Sequence, residues 1–166
     1  MKSTGEVMGI DRDFGRAFAK SQLGAGVDLP LSGTVFVSVR DEDKSALIEI
    51  CNDIVKNGFS IIATGGTADA LNAAGVPATR IKKVMEGRPH AVDAMLSGEI
   101  QLVFNTVKGA GAIRDSFSLR HTALTNKIPY YTTVSGSRAA AQAIKALQQN
   151  KLGIQTLQQF ISDIVS

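Results

Sequence analysis

Thr34-Val35-Phe36-Val37-Ser38-Val39 is a nearly continuous apolar run. A strand with one face in water alternates apolar and polar residues, whereas a strand covered on both faces has no such need. The run therefore predicts an interior strand of a sheet with helices on either side. The next residues agree. Leu47, Cys51, Ile54 and Val55 recur at the helical period, Asp41 or Asp43 is placed to cap the helix, and Asn57-Gly58 ends it.

The same unit repeats along the chain. A second strand spans Phe59 to Ala63, and a Gly-Gly turn leads to a helix from Thr67 to Ala74, closed by Gly75. A third strand is predicted around Thr79 to Val84, and Pro89 suits the first turn of a helix to about Leu96. Leu102 to Asn105 is the fourth strand, followed by a helix from about Ala112 to Leu124. Pro129 to Thr133 gives the fifth strand and Ser137 to Gln148 a helix, while Thr156 and Gln159 form a capping box for a last helix to Ile164. Strands alternating with helices predict an α/β fold, three layers α/β/α around a five-stranded parallel sheet. In such folds ligands bind beyond the carboxyl ends of the strands.

The N-terminal stretch differs. Asp11 to Leu23 reads as a helix with Phe14, Ala17, Phe18 and Ser21 on one side, then a linker from Gly24 to Gly33. It adds no strand to the sheet. It is either a helix packed on the domain or the tail of a preceding one, which divides the chain at 1–33 and 34–166.

Composition narrows the function. With 44% hydrophobic residues among 166, the chain can bury a real core, and its net charge of +3 spreads 18 basic residues among 15 acidic ones. No basic block points to nucleic acid. Cys51 is the one cysteine and reads as a core filler; His90 and His121 lack neighbours at metal-ligand spacing. No apolar stretch approaches a membrane span and no signal peptide opens the chain, so a cytoplasmic protein is expected.

Ile61-Ile62-Ala63-Thr64-Gly65-Gly66-Thr67 carries the chemistry. A strand meeting glycines and a helix N-terminus offers unpaired N–H groups and a positive dipole end, which favour an anion. The Thr64 and Thr67 hydroxyls can donate further bonds, and a phosphate fits; the plain alternative is a βα turn with Thr67 as helix cap. Lys44, at the same edge, is placed to meet this loop. Lys83, Arg88 and His90 share the next junction, where Arg88 or Glu86 can instead pair locally. Asn105-Thr106 closes the fourth strand, Lys108-Gly109-Ala110-Gly111 reads as a flexible loop, and Ser116 sits early in the next helix. Asp41, Glu42, Asp43, Glu86, Asp93 and Asp115 are scattered as caps or surface charge. No nucleophile–base pair or carboxylate pair emerges.

Ser38-Val39-Arg40…Asp43-Lys44, Ala63-Thr64-Gly65-Gly66-Thr67-Ala68, Lys83-Val84…Glu86-Gly87-Arg88-Pro89 and Phe104-Asn105-Thr106 resemble the methylglyoxal-synthase-like domain. Glu-Gly-Arg-Pro and Ile113-Arg114-Asp115-Ser116 resemble, more narrowly, the C-terminal allosteric domain of the carbamoyl phosphate synthase large subunit. Gly5-Glu6-Val7-Met8-Gly9 and Ala17 to Gly24 are similar to the end of its second ATP-using half, so the resemblance runs from about Met1 to Leu147. It implies a non-catalytic regulatory domain binding a nucleoside monophosphate, UMP or IMP. By this resemblance Lys44, Thr64, Gly65, Gly66 and Thr67 hold the phosphate, and Lys83, Asn105, Thr106 and Ser116 line the ribose and base. Val107 stands where some bacterial members have threonine. Tyr131, beside Thr132, stands where ornithine-activated members carry aspartate, which argues against ornithine activation.

The intact subunit so implied is a ligase making carbamoyl phosphate from glutamine, bicarbonate and ATP, for arginine and pyrimidine synthesis. Its ATP, with Mg²⁺ or Mn²⁺, and its glutaminase partner subunit belong outside this domain, which has no cofactor of its own. The related lyase needs aspartates where this chain has Arg88-Pro89-His90 and Asn105-Thr106-Val107. A stand-alone lyase on dihydroxyacetone phosphate is the alternative, and a contact module with a degenerate site is a third reading.

Overall fold

The computed structural model describes residues 2–3, 6–106, 110–149 and 152–165, with side chains described at 6–84, 86–106, 116–149 and 152–164. Strands β1 (Lys2–Ser3) and β2 (Glu6–Val7) pair antiparallel, apart from the main sheet. Helix α1 (Phe14–Gly24) is next, capped by Asp13, whose side chain accepts the Arg16 N–H. Then come β3 (Gly33–Ser38), α2 (Lys44–Lys56), β4 (Phe59–Thr64), α3 (Gly65–Ala73), β5 (Thr79–Ile81) and α4 (Ala91–Leu96). The chain continues through β6 (Leu102–Asn105), α5 (Ala110–Thr125), β7 (Tyr130–Tyr131), α6 (Val134–Gln149) and α7 (Leu157–Val165).

The five main strands are all parallel, in the order β5-β4-β3-β6-β7. The chain winds outward from β3 to β4 and β5, then returns to lay β6 on the other side of β3. In folds of this kind such a reversal puts the ligand crevice outside the carboxyl ends of the two strands at the switch, here β3 and β6. It is the three-layer α/β/α architecture expected from the alternating pattern.

The apolar run in β3 has a direct explanation. Val35 and Val37 enter one core with Ile61 and Ala63 of β4, Leu102 and Phe104 of β6 and the buried faces of α2, α3 and α6. Phe36 points the other way, into a core with Val103, Ala91, Ala94 and Met95 of α4, and Leu119 and Ala123 of α5. All three are 0% exposed, because alternate side chains meet different helix layers.

Several boundaries move, each for a local reason. α2 begins at Lys44 behind a 3₁₀ turn at Asp41–Asp43, and neither aspartate makes a side-chain cap: Asp43 pairs with Arg40 and Asp41 with Lys44. Pro89 lies outside α4, after a cis Arg88–Pro89 bond, and His90 caps that helix in a reciprocal pair with Asp93. β5 stops at Ile81, beyond which Lys82 makes only an isolated bridge to His90. α6 starts three residues early because Thr133 Oγ1 accepts the Gly136 N–H, which shortens β7. Ala110 and Gly111, expected in a loop, are already helical. Thr156 and Gln159 do form their capping box.

α1 lies along α6. Gly15 and Ala19 are its buried residues, whereas Phe14 is 60% exposed and Phe18 half-buried against Tyr131. A Cβ on Gly15 would stand 2.6 Å from the Gln142 carbonyl oxygen, so the two backbones touch there. Small residues rather than aromatics make this contact. α7 leaves Leu157, Ile161 and Ile164 exposed. No helix among the described residues is long and apolar enough to cross a membrane.

Phe36→Ala should cost about 3–5 kcal/mol, read as a lower urea midpoint, since a fully buried ring would leave a cavity. Burial pushes the Cys51 thiol and the Tyr131 phenol up to about 12. Their neutral forms are favoured in the fold, so that stability is intact below the ordinary values of 9.0 and 10.0 and is lost as pH rises towards 12. Urea midpoints should therefore fall across this alkaline range, and Cys51 should resist thiol reagents until the chain unfolds.

Candidate functional site

Three strand ends build the crevice, and Ser38 at the end of β3 is their hub. Its hydroxyl accepts a hydrogen bond from Thr64 Oγ1 at 3.1 Å, and its carbonyl accepts the Thr106 N–H at 3.1 Å. One residue on, the Val39 N–H donates to Thr67 Oγ1 at 3.2 Å. These bonds cross from β4 and α3 to β3 and on to β6. Ser38, Thr64, Thr67 and Thr106 are all buried.

The glycines are not in a turn. β4 runs directly into α3, with Thr64 both last in the strand and the extended residue before the helix, and Gly65 and Gly66 are its first two helical residues. Thr67, expected to start or cap the helix, lies in its first turn with its hydroxyl carried across to Val39. The N–H groups opening α3 have no partners within the helix and meet its positive dipole end. A bound anion would be met here by backbone donors on a short, fixed path.

Cations gather at the same place. Lys44 Nζ, expected to meet this loop, lies 3.4 Å from where a Cβ on Gly66 would stand, and 2.6 Å from Asp41 Oδ1. The hydrogen bond from Lys44, helped by its charge and that of Lys83, holds the exposed Asp41 carboxyl below its ordinary range. Lys83 is thus within electrostatic reach of Asp41; its backbone N–H donates to Glu86 Oε2. Arg80, unsuspected from the sequence, packs its guanidinium against Gly65, with Nη2 2.7 Å from the place of a Cβ there. Its position results from the pairing of Ala63 with Arg80 across β4 and β5, which a three-residue strand does not reveal beforehand.

On the β6 side, Asn105 Nδ2 donates to Ser116 Oγ at 3.3 Å and to the Tyr130 hydroxyl, so the expected Asn105–Ser116 neighbours are brought together. Asn105 Oδ1 and Thr106 Oγ1 are buried without a partner among the described residues. Buried oxygens seldom stay unsatisfied; Asn105 Oδ1 can still accept a hydrogen bond, and Thr106 Oγ1 can accept or donate one. Arg88 pairs with Asp93 at 3.5 Å and His90 caps α4, so that loop spends these groups locally. Val107, Lys108 and Gly109 lie outside the described residues, as do the side chains of Ile113, Arg114 and Asp115.

A family model described as "MGS-like domain" matches residues 46–132. The carbamoyl phosphate synthase large chain of Mesorhizobium japonicum is 54% identical over 162 residues, 98% of this chain and 14% of that one. That of Rhizobium meliloti is 56% identical over 160 residues, 96% of this chain and 14% of the other. The Myxococcus xanthus large chain is 48% identical over 161 residues, 97% and 15%. The chain thus spans about 14% of the length of the curated relatives it matches. Among solved structures, a methylglyoxal synthase from Elizabethkingia anophelis aligns with a TM-score of 0.53 at 15% identity, covering 80% of this chain and 92% of that one. That likeness shows the fold alone.

The geometry separates scaffold from free donors. Thr67→Val should leave the buried Val39 N–H unpaired and cost about 1–3 kcal/mol in thermal unfolding. Lys44→Ala should cost no more than about 1 kcal/mol, since its ion pair is open to water.

Proposed function

We propose a function from the premise that this chain belongs to the MGS-like domain family: it is the regulatory domain of a carbamoyl phosphate synthase large chain, and its crevice binds a nucleoside monophosphate without converting it. The observation that carries this reading is the convergence at one sheet edge of the α3 N-terminus, Lys44, and two buried oxygens without partners. The phosphate would lie on the Gly65-Gly66 backbone with Lys44 beside it. Thr64 and Thr67 hold that backbone in place and turn their hydroxyls to β3. Asn105, Thr106 and Ser116, with Lys83 at the rim, would line the sugar and base.

Pro89 has no proton to transfer, and Thr106 stands where the related lyase keeps an acid. Among the carboxylates near the crevice loops, Asp41, Asp43, Glu86 and Asp93 are engaged by Lys44, Arg40, the Lys83 N–H and the His90 N–H. Relatives at 48–56% identity are synthase large chains, whereas the likeness to a methylglyoxal synthase is at 15%, so the lyase alternative is not favoured.

By the same reading, carbamoyl phosphate is made in the parts of the large chain outside this domain, from glutamine, bicarbonate and ATP with Mg²⁺ or Mn²⁺. Residues 1–33 then lead in from the second ATP-using half, and the glutaminase small subunit is a partner of the whole, in the cytoplasm. Titration calorimetry of UMP and IMP tests the site. Lys44→Ala should weaken binding about tenfold or more, the worth of one charge-assisted hydrogen bond, and Thr64→Ala should weaken it less. Equal affinities in the wild type and both variants would remove the phosphate assignment, and release of methylglyoxal from dihydroxyacetone phosphate would overturn the regulatory one.

A further inference from the structure

Two cations press on the first turn of α3 from different sides. Lys44 Nζ stands at Gly66, and the guanidinium of Arg80 stands at Gly65, its Nη2, Cζ and Nε within 2.7, 3.1 and 3.3 Å of the place of a Cβ. A helix N-terminus is itself positive, so an ammonium and a guanidinium gathered there repel the dipole and one another unless an anion lies between them. Each is matched by a solvent-exposed carboxylate: Lys44 by Asp41 at 2.6 Å, Arg80 by Asp69 at 3.5 Å. Exposed ion pairs of this kind contribute little to stability, so the Arg80–Asp69 pair does not explain why the guanidinium lies on the glycine. The second sign of a ligand is Thr106 Oγ1, buried and unpartnered beside Ser38, whose hydroxyl holds Thr64.

We propose that Arg80 is a ligand-binding residue of the same anion site, gripping a phosphate from the Gly65 side as Lys44 does from the Gly66 side, and that Asp69 is the counterion it exchanges for that phosphate. This rests on the reading of the crevice as a phosphate site and adds a contact to it. The planar guanidinium presents a fork of N–H groups that matches two oxygens of one phosphate, which an ammonium does not. A methyl group on Gly65 would occupy the place where the Arg80 guanidinium lies, so this flexible side chain would have to shift aside. Nothing moves but side chains. Arg80 turns from Asp69 to the phosphate, and Asp69, already in water, is released to solvent.

The test is calorimetry on the chain with UMP, inorganic phosphate and uridine, using Arg80→Gln, Arg80→Lys and Asp69→Asn beside Lys44→Ala. Arg80→Gln should weaken UMP and phosphate about five- to twentyfold, in line with one charge-assisted contact, and leave uridine unchanged. Arg80→Lys should recover only part of that loss. Asp69→Asn should tighten UMP about twofold, the size of a competing surface pair, a gain that damage to the fold would not give. Both residues are exposed, so melting temperatures should stay put. If Lys44→Ala weakens UMP while Arg80→Gln and Asp69→Asn leave it alone, the Arg80 contact is wrong and the phosphate site stands. If the wild type takes neither UMP nor phosphate, both fall together.

Discussion

The bond from the Val39 N–H to Thr67 Oγ1 governs the crevice. It joins the first turn of α3 to the chain just past β3, so the helix cannot swing away from the sheet edge. Because β4 passes into α3 without a turn, this one bond also fixes where the Gly65 and Gly66 N–H groups point. The Thr64–Ser38 bond repeats the restraint at the end of β4, and the Ser38 carbonyl carries it to Thr106. A site built this way is rigid before any ligand arrives, and rigidity is what lets weak N–H donors act together.

Much of this is legible in the chain. Val35-Phe36-Val37 announces a strand covered on both faces because the run is short and rich in β-branched residues, and a half-exposed strand would leave one of the three in water. The Thr64–Thr67 stretch announces the passage from a strand to a helix start, and Gly65 and Gly66 do open α3. The hidden part depends on pairing across the sheet. Arg80 reaches Gly65 only through the β4–β5 register, and Ser38 becomes a hub only because β6 returns beside β3. α3 starts two residues before the expected Thr67, because glycines signal a turn in a sequence and here they are helical. The close contact of α1 at Gly15 and Ala19 is also hidden, because small residues carry no hydrophobic signal while close helix approach selects them.

The fold itself does not choose between sensing and chemistry. A methylglyoxal synthase shares the architecture at 15% identity, and what distinguishes this chain is the content of its loops. Glu86 and Asp93 are taken up in caps, and Arg88, largely exposed, lies 3.5 Å from Asp93. The other side of the crevice keeps unspent oxygens on Asn105 and Thr106. In a nucleotide-sensing crevice, recognition would fall to β6 and anion binding to β4, with little asked of the segment between them.

Where α1 crosses α6, there is no side chain between the two backbones at Gly15. Most helix contacts are cushioned by rotamers that shift when one partner is pushed. This joint has no such cushion, and on the same helix Gln22 accepts a hydrogen bond from the Tyr131 hydroxyl at the end of β7. The N-terminal segment is therefore coupled to the sheet in two places, one a hard stop and the other a tether. That tether lies at the edge of the sheet beside β6, next to the carboxyl end that forms one wall of the crevice.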